Sequence, residues 1–210
     1  MIDRVAIGRR FARLATEAAV RYPPLWRIFR PLVRRQFDSM AHVWDSMRME
    51  DAFAPNEAAL AALEREPARI LDVGTGTGAG ALTLAQRFPN AQIVGVDLAE
   101  RMLARARENT PSDSRERVTF RQADASALPF DDDSFELVTH ANMITFFDEV
   151  ARVVAPGGHA LFAFSGGAET PIYVATGRLR EELARRGFAD FAEFNAGRGN
   201  ALLARKRERA

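Results

Sequence analysis

A chain of 210 residues with 47% hydrophobic content has the length of one domain and enough apolar material for a sizeable core. It contains no cysteine, which excludes a disulfide framework and thiolate chemistry. A net charge of +1 argues against bulk nucleic-acid binding. No apolar run reaches the length of a membrane span, and the charged N-terminus lacks the pattern of a secretory leader, so a cytoplasmic location is expected.

Residues 1–66 read as a helical N-terminal arm, and residues 67–210 as the main domain. The arm is basic at its start: nine arginines face two acids over residues 1–37, a net +7. Aromatic and methionine side chains are interleaved with them, among them Trp26, Phe29, Phe37, Met40, Trp44 and Met47. The chain uses arginine almost throughout, with Lys206 its one lysine, so a solvated helix face is the plain reading of the cluster. An anionic substrate or a membrane surface is the other candidate partner; nucleic acid is not expected.

Ile70 to Val73 reads as a buried strand that runs into Gly74, Gly76 and Gly78. Alternating glycines let a backbone turn tightly and approach a ligand closely. A helix follows over 79–88, then a strand over 92–97 that ends on Asp97. An acid at that tip is placed to accept from a ribose diol. A helix over 99–108 and a third strand over 117–122 lead to Asp124, which could accept from an adenine amine. A fourth strand covers 135–139 and a helix covers 147–154. Pro156-Gly157-Gly158 is expected to turn the chain sharply into a fifth strand over 159–164. A helix over 179–186 precedes two short strands, 191–195 and 200–204, joined as a hairpin through Gly197 and Gly199. Alternating strands and helices predict an α/β fold with a parallel sheet covered on both faces.

Two adenosine cofactors suit such a loop. Gly74, Gly76 and Ala79 satisfy the G-x-G-x-x-A form, so an NAD(P)-dependent oxidoreductase is one alternative. Asp72 discriminates against it, because a carboxylate beside a pyrophosphate is repelled whereas one beside a cationic amino-acid group is not.

Four ordered motifs, Asp72-Val73-Gly74-Thr75-Gly76-Thr77-Gly78, Val96-Asp97, Ala123-Asp124-Ala125 and Arg152-Val153-Val154-Ala155-Pro156-Gly157-Gly158, resemble those of class I S-adenosylmethionine-dependent methyltransferases, in particular the small type-11 methyltransferase domain. The resemblance covers roughly residues 37–206. It implies a Rossmann-like, seven-stranded, mostly parallel sheet with an antiparallel C-terminal hairpin strand. It implies S-adenosyl-L-methionine as cofactor, held by Asp72, Gly74, Thr75, Gly76, Gly78, Asp97, Leu98, Met102, Asp124, Ala125 and the main chain of His140. The segment Phe37 to Asp45 resembles the entry segment of quinone-biosynthesis C-methyltransferases, which usually carry tyrosine where Trp44 stands. Trp44, Met40, Phe37 and Asn142 are therefore expected at the substrate or lid side.

Activation of the methyl group resides in the sulfonium, so positioning rather than a side-chain catalyst is expected to carry the reaction. His140, at the end of the fourth strand, is a weak candidate base, and His42 reads as lid packing rather than a base. The function expected is methyl transfer to a small or lipophilic acceptor, through C, O or N. A cofactor-binding protein without catalysis is the second alternative, and an oligomer is compatible with either.

Overall fold

Seven strands form one sheet in the order β3-β2-β1-β4-β5-β7-β6 in a computed structural model that describes residues 25–209. The arginines expected on the arm at positions 4, 9, 10, 13 and 21 lie outside the described residues. The strands are β1 (Arg69–Val73), β2 (Gln92–Asp97), β3 (Val118–Gln122), β4 (Phe135–Ala141), β5 (Val154–Phe164), β6 (Phe188–Ala196) and β7 (Gly199–Lys206). The helices are α1 (Trp26–Met40), α2 (Ala54–Leu60), α3 (Ala79–Arg87), α4 (Glu100–Asn109), α5 (Phe147–Val153) and α6 (Thr176–Ala184).

β1 pairs in parallel with β2 and β4, β2 with β3, and β4 with β5. β7 inserts antiparallel between β5 and β6. The expected mostly parallel sheet with one antiparallel hairpin strand is what forms. The hairpin is longer than its polarity suggested, because pairing continues from Ala196↔Gly199 outward to Phe188↔Lys206.

One local expectation is corrected. Pro156-Gly157-Gly158 does not lie ahead of the fifth strand; it lies within β5. The register against β4 slips between Phe135 and Leu137, and Gly157 takes up the irregularity with φ +75°. A bulge admits an extra residue without ending the strand, and glycine reaches the left-handed region at little cost.

Burial divides the core by sheet face. Leu71, Val73, Val96, Val138 and Phe162 share one face with Phe147 and Val150 of α5 and Leu179 and Leu183 of α6. Ile70, Ile93, Leu137 and Leu161 share the other with Ala59 and Leu60 of α2 and Leu84 and Ala85 of α3. Lys206 ties the last strand to this body: its ammonium donates to Asp133 Oδ1 at 2.8 Å and to the carbonyls of Ala151 and Val154, each at 2.7 Å.

The described part of the arm crosses the carboxyl ends of the strands. At one end of α1, Trp26 packs edge-on against Phe146, ring centroids 5.4 Å apart, in the loop after β4. At the other, Phe37 packs with Ala99 and Met102 at the start of α4. α4 has no side-chain cap of its own, and Asp38 of α1 supplies one by accepting from Arg101 N at 3.0 Å. Among the described residues no helix is long and apolar enough to cross a membrane.

Candidate cofactor site

The glycine loop is shaped by backbone demands that side chains would defeat. Gly74, Gly76 and Gly78 have φ of +73°, +55° and +85°. A Cβ on Gly78 would come within 2.9 Å of Ala106 Cβ and 3.0 Å of the Phe120 ring. The loop stays pinned to β2, with the amides of Gly74 and Thr75 both donating to the Val96 carbonyl, at 2.8 and 2.9 Å.

Asp97 stands where the strand-tip acid was expected. It accepts from Gly76 N at 3.0 Å through Oδ2 and from Ala99 N at 2.8 Å through Oδ1. A backbone hydrogen bond from Leu98 adds a third donor, and a carboxylate has about four acceptor sites, so capacity for a diol hydroxyl remains. Burial pushes its pKa up to about 6 against the backbone hydrogen bonds, with the nearby Asp72 charge adding to the rise.

Asp72 is drawn beneath the loop. It is 3% exposed and accepts from Thr75 Oγ1 at 2.7 Å and Thr139 Oγ1 at 2.8 Å. A backbone hydrogen bond from Ala81 adds a third donor, and a Cβ on Gly80 would sit 3.0 Å from Oδ2. Gly78 offers α3 no side-chain cap, so Asp72 caps the helix from inside the fold. Burial raises its pKa, opposed by these hydrogen bonds. Asp72 is thus buried beneath the loop, and Thr75 joins it as a tie.

Asp124 lies at the end of β3 as expected, but the arm reaches it first. Trp26 Nε1 donates to Oδ1 and Arg30 to Oδ2, both at 2.8 Å. Ser126 adds two donors to Oδ1, from N at 2.9 Å and Oγ at 2.8 Å. Burial works to raise this pKa, yet the hydrogen bonds from Arg30, Ser126 and Trp26 outweigh it and hold the carboxyl below its usual range. The neighbouring Ala125 is buried in the core, and Leu98 packs partly against the same cluster.

Two side chains lie directly over the loop. Trp44 Nε1 is 3.3 Å from where a Gly76 Cβ would stand, and Met143 Sδ is 2.8 Å from the corresponding point on Gly74. Trp44 packs edge-on to Phe37 at 5.4 Å, and both join Ala41, Ala99 and Met102 in a small apolar cluster. Met102 therefore faces the arm. Beside Trp44, Asp45 accepts from Thr77 Oγ1 at 2.6 Å and from Asn109 Nδ2 at 3.3 Å, so the arm is pinned to the glycine loop and to the last residue of α4. Met40 is partly buried at the end of α1 and lies outside that cluster.

His140 is unsuited to the base role. The ring is 3% exposed and stacked on Phe162 at 5.0 Å, and burial pushes its pKa down to about 3. Such an imidazole stays neutral and is too weak a base for chemistry near neutrality. Asn142, with φ +51°, spends its amide on Ser165, accepting from Ser165 N at 2.9 Å and donating to Ser165 Oγ at 3.0 Å. It locks the end of β4 to the end of β5.

Trp26, Arg30, Asp45 and Met143 were not legible as site residues. The Trp26–Asp124 bond spans 98 residues, and no local pattern announces such a contact. Asp45 had a signal, because it closes the Phe37–Asp45 segment.

The cleft fits an adenosyl cofactor on structural grounds: a loop with three glycines of positive φ, a partly exposed strand-tip acid with acceptor capacity left, and an acid beyond β3. Comparison with known proteins agrees. Residues 70–158 match the methyltransferase domain family. Demethylmenaquinone methyltransferase of Thermus thermophilus is 49% identical over 104 residues, 46% of this chain and 47% of that protein. Malonyl-(acyl-carrier protein) O-methyltransferase of Halorhodospira halophila is 40% identical over 152 residues, 66% of this chain and 50% of that protein. The chain thus spans about half the length of these curated relatives. In fold it resembles the methyltransferase solved in complex with the Trm112 methyltransferase activator of Haloferax volcanii, with a TM-score of 0.67 and 21% identity over 82% of this chain and 98% of that one. Loop, strand order and sequence matches agree, and the dinucleotide alternative finds no support in them: the chain carries, over residues 70–158, a domain similar to the methyltransferase domain family, on a Rossmann-like fold shared with solved methyltransferases.

Proposed function

We propose that this chain transfers the methyl group of S-adenosylmethionine to a small lipophilic acceptor that ionises without a protein base, a hydroquinone-type ring being the first candidate. The observation that carries this is the pairing of an apolar cover over the glycine loop with a buried His140 beside it. Trp44 and Met143 lie over the glycines, and burial pushes the pKa of His140 down to about 3. When bound, the cofactor supplies a sulfonium-activated methyl group. The residues proposed to hold it are Gly74, Gly76 and Asp97, with Asp124 at the adenine. Asp72, Thr75 and Thr139 keep the loop in shape. Trp44 and Phe37 exclude water and orient the acceptor, which removes much of the entropic barrier to in-line transfer.

The names of the relatives support this reading. Demethylmenaquinone has a quinol form that ionises in water, and a malonyl carboxylate is ionised already. The apolar cover favours the quinol over a carrier protein. The test is methyl transfer from labelled S-adenosylmethionine to a demethylated naphthoquinol and, in parallel, to a malonyl thioester. Label in the quinol supports the proposal, and label in the thioester alone redirects it. A second reading, a cofactor-binding protein without catalysis, draws on the engagement of Asp124 by Trp26 and Arg30. Binding of S-adenosylhomocysteine with no transfer to either acceptor favours that one.

A further inference from the structure

α1 has two apolar faces, and the body of the protein uses one. Trp26, Phe29 and Val33 pack against the core, and Phe37 packs on Met102. Leu25, Ile28 and Leu32, spaced three and four apart, form a second stripe that is 40%, 67% and 59% exposed. The other exposed large hydrophobics among the described residues are Val43 and Met47, so all five lie on the arm. Arg35 borders the stripe and Arg27 and Arg34 lie further round the same helix, all three exposed and without an ion pair among the described residues, whereas Arg30 is held by Asp124. Charge is segregated in the same sense: residues 1–37 carry a net +7 in a chain whose total is +1, so the remainder is net negative.

We propose that this outer face of α1 docks the protein on an anionic lipid surface. Leu25, Ile28 and Leu32 enter the boundary between headgroups and acyl chains, and Arg27, Arg34 and Arg35 pair with lipid phosphates. The composition of the patch selects this occupant. A nucleic-acid backbone has no use for three aliphatic side chains at the centre of the contact. A second copy would set arginine against arginine. Because the inner face of the same helix crosses the carboxyl ends of the strands, docking turns the cleft toward the lipid.

The test reads partition rather than turnover, so it stands or falls separately from the choice of acceptor. The full chain is sedimented with vesicles of phosphatidylcholine alone and with vesicles in which about a third of the lipid is phosphatidylglycerol. Binding to the anionic vesicles at least about tenfold tighter, weakening as salt is raised, is expected. Each arginine near such a surface contributes about fivefold, so R34Q/R35Q should lose on the order of tenfold or more. I28D/L32D should lose at least about tenfold while keeping its circular dichroism, melting temperature and S-adenosylhomocysteine affinity. Equal partition of wild type and I28D/L32D, or no preference for anionic lipid, overturns the proposal. So does a wild-type dimer in analytical ultracentrifugation that I28D/L32D dissolves, since the stripe then belongs to a second copy.

Discussion

Trp26 donates its indole N–H to Asp124 Oδ1 at 2.8 Å, bringing the first turn of α1 onto the acid that follows β3. Arg30, one turn further along the helix, takes the other oxygen. The arm therefore holds the same carboxylate that is proposed to meet the adenine.

Competition between arm and adenine gives the first prediction. The Arg30 side chain is 46% exposed and that of Asp124 15%, and a pair this exposed is worth about 0.2–1 kcal/mol. Freeing Oδ2 by R30A should tighten S-adenosylhomocysteine binding by at most about fivefold, measured by calorimetry at fixed salt. Weaker binding by R30A would mean that the arm and the adenine share Asp124 rather than compete for it.

Asp97 should impose a pH dependence with two signs. Its folded-state pKa is raised from 3.8 to about 6. Between those values the folded protein keeps a proton that the unfolded chain has released, so stability falls as pH rises through this window and stays lower above it. D97N removes the titrating group, so its melting temperature should lose this pH dependence, while its amide nitrogen, a donor, forfeits one of the backbone hydrogen bonds from Gly76 and Ala99. Cofactor affinity runs the other way. The diol needs the ionised acceptor, so binding should weaken as pH falls through about 6. Thermal melts and calorimetry across pH 4.5 to 8 follow both; an affinity flat through that range would remove Asp97 from the ribose.

Gly78 should not accept a side chain. Its φ of +85° disfavours any L-residue, and an added methyl would meet Ala106 and Phe120 at 2.9 and 3.0 Å. G78A should cost about 2–4 kcal/mol in urea denaturation, combining backbone strain with overpacking. A loss under about 0.5 kcal/mol would mean that the loop relaxes freely.

Lys206 shows how an arginine-biased chain uses its one lysine. A compact ammonium reaches Asp133 and two carbonyls together, a convergence that a planar guanidinium does not match. K206M keeps the stem and strips all three bonds. It should destabilise by about 2–4 kcal/mol, while K206R should recover little of that. Full rescue by arginine would show that charge alone matters.

Much of the sheet was legible in the sequence because its strands are short apolar runs with polar punctuation. β2 matches its expected limits, and the glycine loop and Asp97 follow from spacing alone. The hairpin was underestimated because its outer pairs, such as Ala189↔Arg205, are half polar, and sheet edges tolerate that. β5 was misjudged because Pro-Gly-Gly usually ends an element, whereas here pairing with β4 and β7 outweighs local preference. In the site, the strand-tip acids were readable as positions but not as environments. Nothing local told Asp72, which is buried beneath the loop and caps a helix from within, from Asp97, which stays partly exposed at the strand tip. That distinction depends on Thr139, which lies on a different strand.

Calorimetric titration of the full chain with S-adenosylhomocysteine and with NAD, repeated on D97A, is the most direct test of the cofactor site. The wild type should bind S-adenosylhomocysteine with a Kd on the order of micromolar and give no heat with NAD. D97A, folded by circular dichroism, should bind about 10–100-fold more weakly, since charge-assisted hydrogen bonds to a carboxylate are worth roughly 1.5–3 kcal/mol. Tighter binding of NAD than of S-adenosylhomocysteine, or an unchanged affinity in D97A, would contradict the site as described.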